Sequence, residues 1–232
     1  VTKYNKIKFP QFHTGIRCLA KLSTGNIIIG TENGLFEWNT NTEKIQKVFP
    51  FKKGEDGFNS FKSIYIDNKQ RLWLTMDGSG IVVLSKEYTW LRNFNTQNAL
   101  NNDVVYGLLP ENDSVFWFSS NAGLSKLCWN ENSLKENGKV EVFNYDEKNG
   151  LQSNEFNTGA FVQLRDGSMA FGGLNGINVF KPSDVKANPQ LPKVYINEFK
   201  IFENDSQTDT SIAYRSHIAL KHFENAFSIT FN

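Results

Sequence analysis

The side chains of this 232-residue chain that could do chemistry are carboxylates, amides and indoles. Glu32, Asp67, Asp77, Glu111, Asp113 and Asp166 all fall in polar turns. Two carboxylates flanking a glycosidic bond can act as acid and base or nucleophile. A turn carboxylate has a plainer use, accepting hydrogen bonds from its own backbone, and that is the expectation for each of these. Neither the S-x-D-x-G-x-T-W pattern of sialidase-type propellers nor a G-x-S-x-G elbow occurs. His13, His217 and His222 are scattered, and no His/Cys/carboxylate group has metal-ligand spacing. The expectation is therefore no catalytic residue, no metal and no cofactor. Cys18 and Cys128 are too far apart for a CxxC or zinc motif. They read as two buried free thiols, with a single disulfide left open.

Sugar binding is the second chemistry the residue types allow. Sugar C–H faces stack on aromatic rings, and hydroxyls take planar amides, carboxylates or guanidinium groups as partners. Trp73 and Trp117 share one repeat position and read as core. Trp38 closes a strand, Trp90 lies on an outer strand and Trp129 opens an insertion. These three are expected to be more exposed and are the candidate stacking residues. Turns 31–33, 76–79, 119–121 and 173–175 should gather on one face, which makes Glu32, Asn33, Asp77, Asn121 and Asn175 the candidate polar contacts. The amide-rich stretch NGLQSNEFNTGAF spans 149–161. Its Ser153, Asn154, Glu155 and Asn157 read as partners for irregular backbone between two strands, with ligand contact as the alternative.

These side chains must be positioned by β-structure. Four segments repeat the order strand, polar turn, strand, turn ending in Gly, strand: LAKLSTGNIIIGTENGLFEW, IYIDNKQRLWLTMDGSGIVVL, YGLLPENDSVFWFSSNAGLSKL and FVQLRDGSMAFGGLNGINVF. Their anchor glycines are Gly34, Gly80, Gly123 and Gly176, spaced roughly 40–50 residues apart, the period of propeller blades. A further strand follows each of the first three units, over 43–49, 88–94 and 139–145. Insertion 130–138 reads as a surface loop, and 1–7 as an outer strand of an earlier blade. The fold class is all-β: four blades of a larger propeller over 1–182, with repeats near 16–49, 61–94, 104–145 and 156–182. A proline-bearing linker, 183–193, leads to the first strands of a β-sandwich over 194–232. A net charge of +1 gives no electrostatic footprint for nucleic acid. No segment approaches the ~18 consecutive apolar residues of a membrane span, and the start lacks the apolar core of a signal peptide.

G-N-I-I-I-G-T-E-N-G-L at 25–35 resembles the two-component regulator propeller repeat, G-x-[LI]-W-[IV]-G-T-x-x-G-L. Trp73 and Trp117 occupy its Trp position; Ile28 and Ala170 depart from it. The block at 149–182 resembles the last propeller blade of periplasmic sensors in hybrid two-component systems of gut Bacteroidetes. PKVYINEFKIF and IALKHFENAFSITF resemble the start of the Ig-like "YYY" domain that follows. The resemblance implies a periplasmic, non-enzymatic sensor region. Its implied ligand is an oligosaccharide, its implied assembly a homodimer, and its implied link to the membrane a helix beyond this chain that leads to a histidine kinase. A propeller glycosidase or lyase, and a protein-binding scaffold, are the alternatives.

Overall fold

The computed structural model describes residues 15–32, 34–49, 60–186, 196–203, 206–210, 217, 219–222 and 224–231. Segment 1–7 and Asn33, both named above, lie outside them. The chain forms two compact units, Val1–Val185 and Lys186–Asn232.

The first unit is four antiparallel blades. Blade 1 is β1 (Ile16–Lys21), β2 (Ile27–Thr31), β3 (Gly34–Trp38) and β4 (Ile45–Phe49). Blade 2 is β5 (Phe61–Ile66), β6 (Leu72–Met76), β7 (Ile81–Leu84) and β8 (Trp90–Phe94). Blade 3 is β9 (Val105–Asn112), β10 (Val115–Ser120), β11 (Gly123–Cys128) and β12 (Glu141–Tyr145). Among the described residues, blade 4 has three strands, β13 (Phe156–Gln163), β14 (Met169–Gly173) and β15 (Gly176–Phe180). The inner strands β1, β5, β9 and β13 pack side by side in that order. The all-β propeller expectation holds.

Sequence pattern explains which strands sit deepest. β6 (LWLTM) and β7 (IVVL) are buried at every residue because a blade packs on each side of them. The Ile28, Leu35, Phe61 and Leu74 side chains join blades 1 and 2. Trp73, Phe94, Phe116 and Trp129 join blades 2 and 3. Trp117, Phe156, Met169 and Phe171 join blades 3 and 4. Aromatic and β-branched residues supply these contacts because they fit a pleated, half-buried surface.

The turn glycines have a physical reason. Gly34, Gly80, Gly123 and Gly176 have φ of 129°, 71°, 99° and 138°, in the range that Cβ-bearing residues resist. At Gly80 and Gly123 a Cβ would also overlap the carbonyl oxygens of Phe94 and Tyr145 on the outer strand.

Two outer strands begin later than expected, β4 at Ile45 and β8 at Trp90. Glu43 and Tyr88 sit at φ of 56° and 63°, a left-handed conformation that cannot belong to a strand. β12 also starts late, at Glu141, after Lys139 has given its carbonyl to the Ser133 hydroxyl at 2.6 Å.

The insertion is not a free surface loop. Asn130 caps a 3-10 turn, Glu131–Leu134, by accepting from the Asn132 and Ser133 amides. From there it reaches blade 2. Arg71 donates to both Glu131 oxygens at 3.0 and 2.9 Å, and Lys69 Nζ lies 2.9 Å from Glu131. Arg92 donates to the carbonyls of Lys135, Glu136 and Gly138.

The second unit holds β16 (Ile196–Glu203), β17 (Ser206–Thr210) and β18 (Phe227–Phe231), hydrogen-bonded in the order β17-β16-β18. Phe199 and Phe227 stack across it at 5.5 Å between ring centroids.

Candidate functional site: the turn face of the propeller

The turns between the second and third strands lie at the same end of every blade, beside the start of the inner strands. Ile16, Phe61, Val105 and Phe156 open those inner strands opposite Thr31, Met76, Ser120 and Gly173. The next inner-strand residue is Arg17, Lys62, Tyr106 or Asn157, and the next turn residue is Glu32, Asp77, Asn121 or Leu174. Three of these four couples are made. Arg17 donates to Glu32, Lys62 pairs with Asp77 at 3.0 Å, and the Tyr106 hydroxyl donates to Asn121 Oδ1 at 2.6 Å. Asn157 is exposed on β13, opposite no such polar partner.

Neighbouring couples touch. The Lys62 ammonium lies 5.5 Å from the centre of the Tyr106 ring, a cation–π distance. Burial raises the Tyr106 phenol above its ordinary pKa, and the nearby Glu155 and Asp77 charges raise it further. Tyr106 is thus a neutral donor at physiological pH. The row from Arg17 to Asn121 offers cation, carboxylate, phenol and amide in sequence along one edge.

The crossings between blades reach the same end, and they are rich in amides. Most of those amides hold backbone. Asn98 Nδ2 donates to the Asn93 carbonyl at 3.0 Å, and Asn102 Oδ1 accepts from Val104 at 2.8 Å. Asn154 Oδ1 accepts from Glu147 at 3.0 Å, its carbonyl accepts from Gly123 at 2.7 Å, and Glu147 accepts from the Asn154 amide at 3.2 Å. The Glu155 carbonyl accepts from Leu174 at 3.3 Å, while its carboxylate is exposed near Tyr106. Asn175 is exposed, and its backbone N–H donates to Gln152 at 2.6 Å.

The indoles separate. Trp90 is 45 % exposed and stacks on Phe49 at 6.2 Å. Trp38 is half-buried at the far end of β3. Trp129 is 6 % exposed, which corrects the expectation of an open ring. It packs against Trp73 at 4.7 Å under the Arg71 guanidinium, 4.8 Å from its ring centre. Blade 2 thus covers the ring, and Leu134 of the insertion that follows packs against the same core. None of the three belongs to the turn-face row. Arg17, Lys62 and Tyr106 were missed by sequence reasoning. Their signal was available as the second residue of each inner strand, but nothing marks that position until strand starts are known.

Cys18 and Cys128 are both free; burial pushes the Cys18 thiol up to about 12. Among the described residues, no group of three or more His, Cys, Asp or Glu could hold a metal ion. No described helix is long and apolar enough to cross a membrane.

No protein-family model matches the sequence. Histidine kinase P4 of Formosa agariphila is 27% identical over 257 residues, covering 86% of this chain and 18% of that protein. The extracellular domain of a putative hybrid two-component system from B. thetaiotaomicron superposes with a TM-score of 0.67 at 27% identity, over 94% of this chain and 29% of that one. A second such domain from B. thetaiotaomicron gives a TM-score of 0.56 at 17% identity, over 94% and 34%, a likeness of fold. This chain thus spans about a third or less of the length of each of these three relatives. The resemblance drawn from the repeats is borne out in sequence and in fold: the chain is similar to the extracellular propeller region of hybrid two-component systems, and it is extracytoplasmic.

Proposed function

We propose that this chain, a propeller segment of the two-component sensor kind, binds an oligosaccharide on its turn face and turns over no substrate. The observation that carries the reading is the row of couples Arg17–Glu32, Lys62–Asp77 and Tyr106–Asn121. It supplies fixed, mixed donors and acceptors at the same end of successive blades, as sugar hydroxyls require. Glu155, Asn157 and Asn175 extend it, and Trp90 serves as a separate stacking platform. In this reading residues 1–182 are propeller, 183–193 a linker and 194–232 the start of an Ig-like relay domain. The protein works in the periplasm as a homodimer, joined to a histidine kinase through a membrane helix beyond the chain.

Ligand binding can drive such a relay only through different affinity for two arrangements of the sensor. Isothermal titration against a panel of neutral and acidic oligosaccharides tests the reading. One member of the panel should release heat. Tyr106→Phe should weaken its affinity about tenfold, the worth of one hydrogen bond, without moving the melting temperature. No heat from any sugar would favour a protein-binding scaffold, and cleavage of the panel would favour a lyase or glycosidase.

A further inference from the structure

The charges of the turn-face row are matched within the row, and the atoms left open restrict the kind of sugar it can take. The Lys62 side chain is only 18% exposed, held between the Asp77 carboxylate at 3.0 Å and the Tyr106 ring at 5.5 Å. The Arg17 guanidinium is paired with Glu32. Each cation of the row thus has its charge balanced by an acid of the same blade.

Acceptors dominate what faces solvent. The Asp77 and Glu32 side chains are 46% and 37% exposed, and a carboxylate has more lone pairs than one cation occupies. The Tyr106 hydroxyl gives its hydrogen to Asn121 Oδ1, which leaves the phenol oxygen as an acceptor. Glu155 adds a third carboxylate. It is exposed beside Tyr106, and no described cation pairs with it. With Arg17 and Lys62 against Glu32, Asp77 and Glu155, the row carries a net charge of −1. The crossings at this end do not reverse that sign. Segment 95–103 holds Asp103 and no cation, and Lys148 follows Asp146 and Glu147.

We infer that the turn face takes an oligosaccharide of neutral sugars, whose hydroxyls donate to Glu32, Asp77 and Glu155, and that Glu155 turns away uronate- and sulphate-bearing chains. A hydroxyl donating to a carboxylate makes a charge-assisted hydrogen bond, stronger than one between neutral groups. An anionic group of a ligand in the same place would meet Glu155 as a like charge, with no unmatched cation to offset it. This rests on the reading of the turn face as an oligosaccharide site and narrows that reading to one class of sugar.

Isothermal titration of the full chain separates the classes. The neutral probes are gluco-, galacto-, manno- and xylo-oligosaccharides; the acidic ones are oligogalacturonate and a sulphated galactan oligosaccharide. Heat should come from a neutral probe alone, with an affinity that holds within about twofold between about 0.02 and 0.5 M salt. Glu155→Gln should weaken that probe about tenfold by removing a charged acceptor. Glu155→Lys should bind an acidic probe at least roughly tenfold more tightly than the unaltered chain does. Both variants should melt with the unaltered chain, because it is the Glu155 carbonyl that accepts from Leu174 at 3.3 Å and Gln152 at 3.4 Å. Heat from an acidic probe and none from a neutral one overturns the inference and leaves the sensing proposal standing. So does an affinity that falls tenfold with added salt. Unchanged binding in both Glu155 variants overturns the role given to that residue. No heat from any probe overturns the sensing proposal and this inference with it.

Discussion

Trp73 and Trp117 donate their indole N–H to carboxylates six residues earlier, Asp67 at 3.0 Å and Glu111 at 2.8 Å. A cation completes each group: Arg71 lies 2.6 Å from Asp67, and Lys126 lies 3.0 Å from Glu111. Where the repeat carries Ile28 or Ala170 in place of Trp, the earlier position carries Leu22 or Leu164. Acid and indole are thus present together or absent together. A buried acid without its donor, or an indole without its acceptor, would carry an unmet polar group. Turn glycines are the other residue-scale requirement. Gly123→Ala should cost at least about 2 kcal/mol in chemical denaturation, since it adds a clash to an unfavourable φ. Gly25→Ala meets no atom within 4 Å at φ of 90° and should cost only about 1 kcal/mol. Equal losses would refute the steric argument. Glycine spacing and strand centres made the blades legible because they are local signals. Trp129 was illegible because its cover comes from blade 2, nearly sixty positions earlier in the chain.

At the scale of elements, insertion 130–138 is a clasp. Its Glu131 carboxyl is held below the usual carboxylate range, foremost by the Lys69 hydrogen bond, which outweighs desolvation, with Arg71 adding to the lowering. A depressed carboxyl stabilises the fold above its unfolded pKa, about 4.3 for Glu, and loses that contribution as pH falls through the folded value. Glu131→Gln should therefore lower stability at pH 7 by about 0.5–1 kcal/mol, the modest worth of an exposed pair. That gap should persist down to about pH 5 and close towards pH 3. A gap that does not change with pH would assign the loss to packing. The clasp was hidden in the sequence because a run such as NENSLKENG has the composition of any loop. Only its partners Lys69, Arg71 and Arg92 distinguish it.

For the molecule as a whole, the two end blades show large apolar residues outward. Leu19 is 61 % exposed on blade 1, and Val162 and Ile177 are 52 % and 63 % exposed on blade 4. Large apolar side chains left outward on blades at the ends of a row favour contact with other surfaces. The isolated 232-residue chain should self-associate at high concentration in light scattering. Leu19→Thr with Val162→Thr should reduce that association while keeping the β-rich circular dichroism. A strictly monomeric chain at millimolar concentration would refute it. The sequence repeat foretold open ends. It could not foretell which side chains line them, since the strands' inward and outward alternation depends on bulges such as the one between Ile16 and Cys18.

The paired indoles have an optical consequence. Trp73 and Trp117 are sealed, at 0% and 1% exposed, one at each of two successive blade junctions. Each is clamped to its own carboxylate, and Trp90, at 45 % exposed, is the most open of the five. Emission from the sealed pair reports the separation of one junction from the other. Partial opening of this propeller, blade by blade, is written into its intrinsic fluorescence.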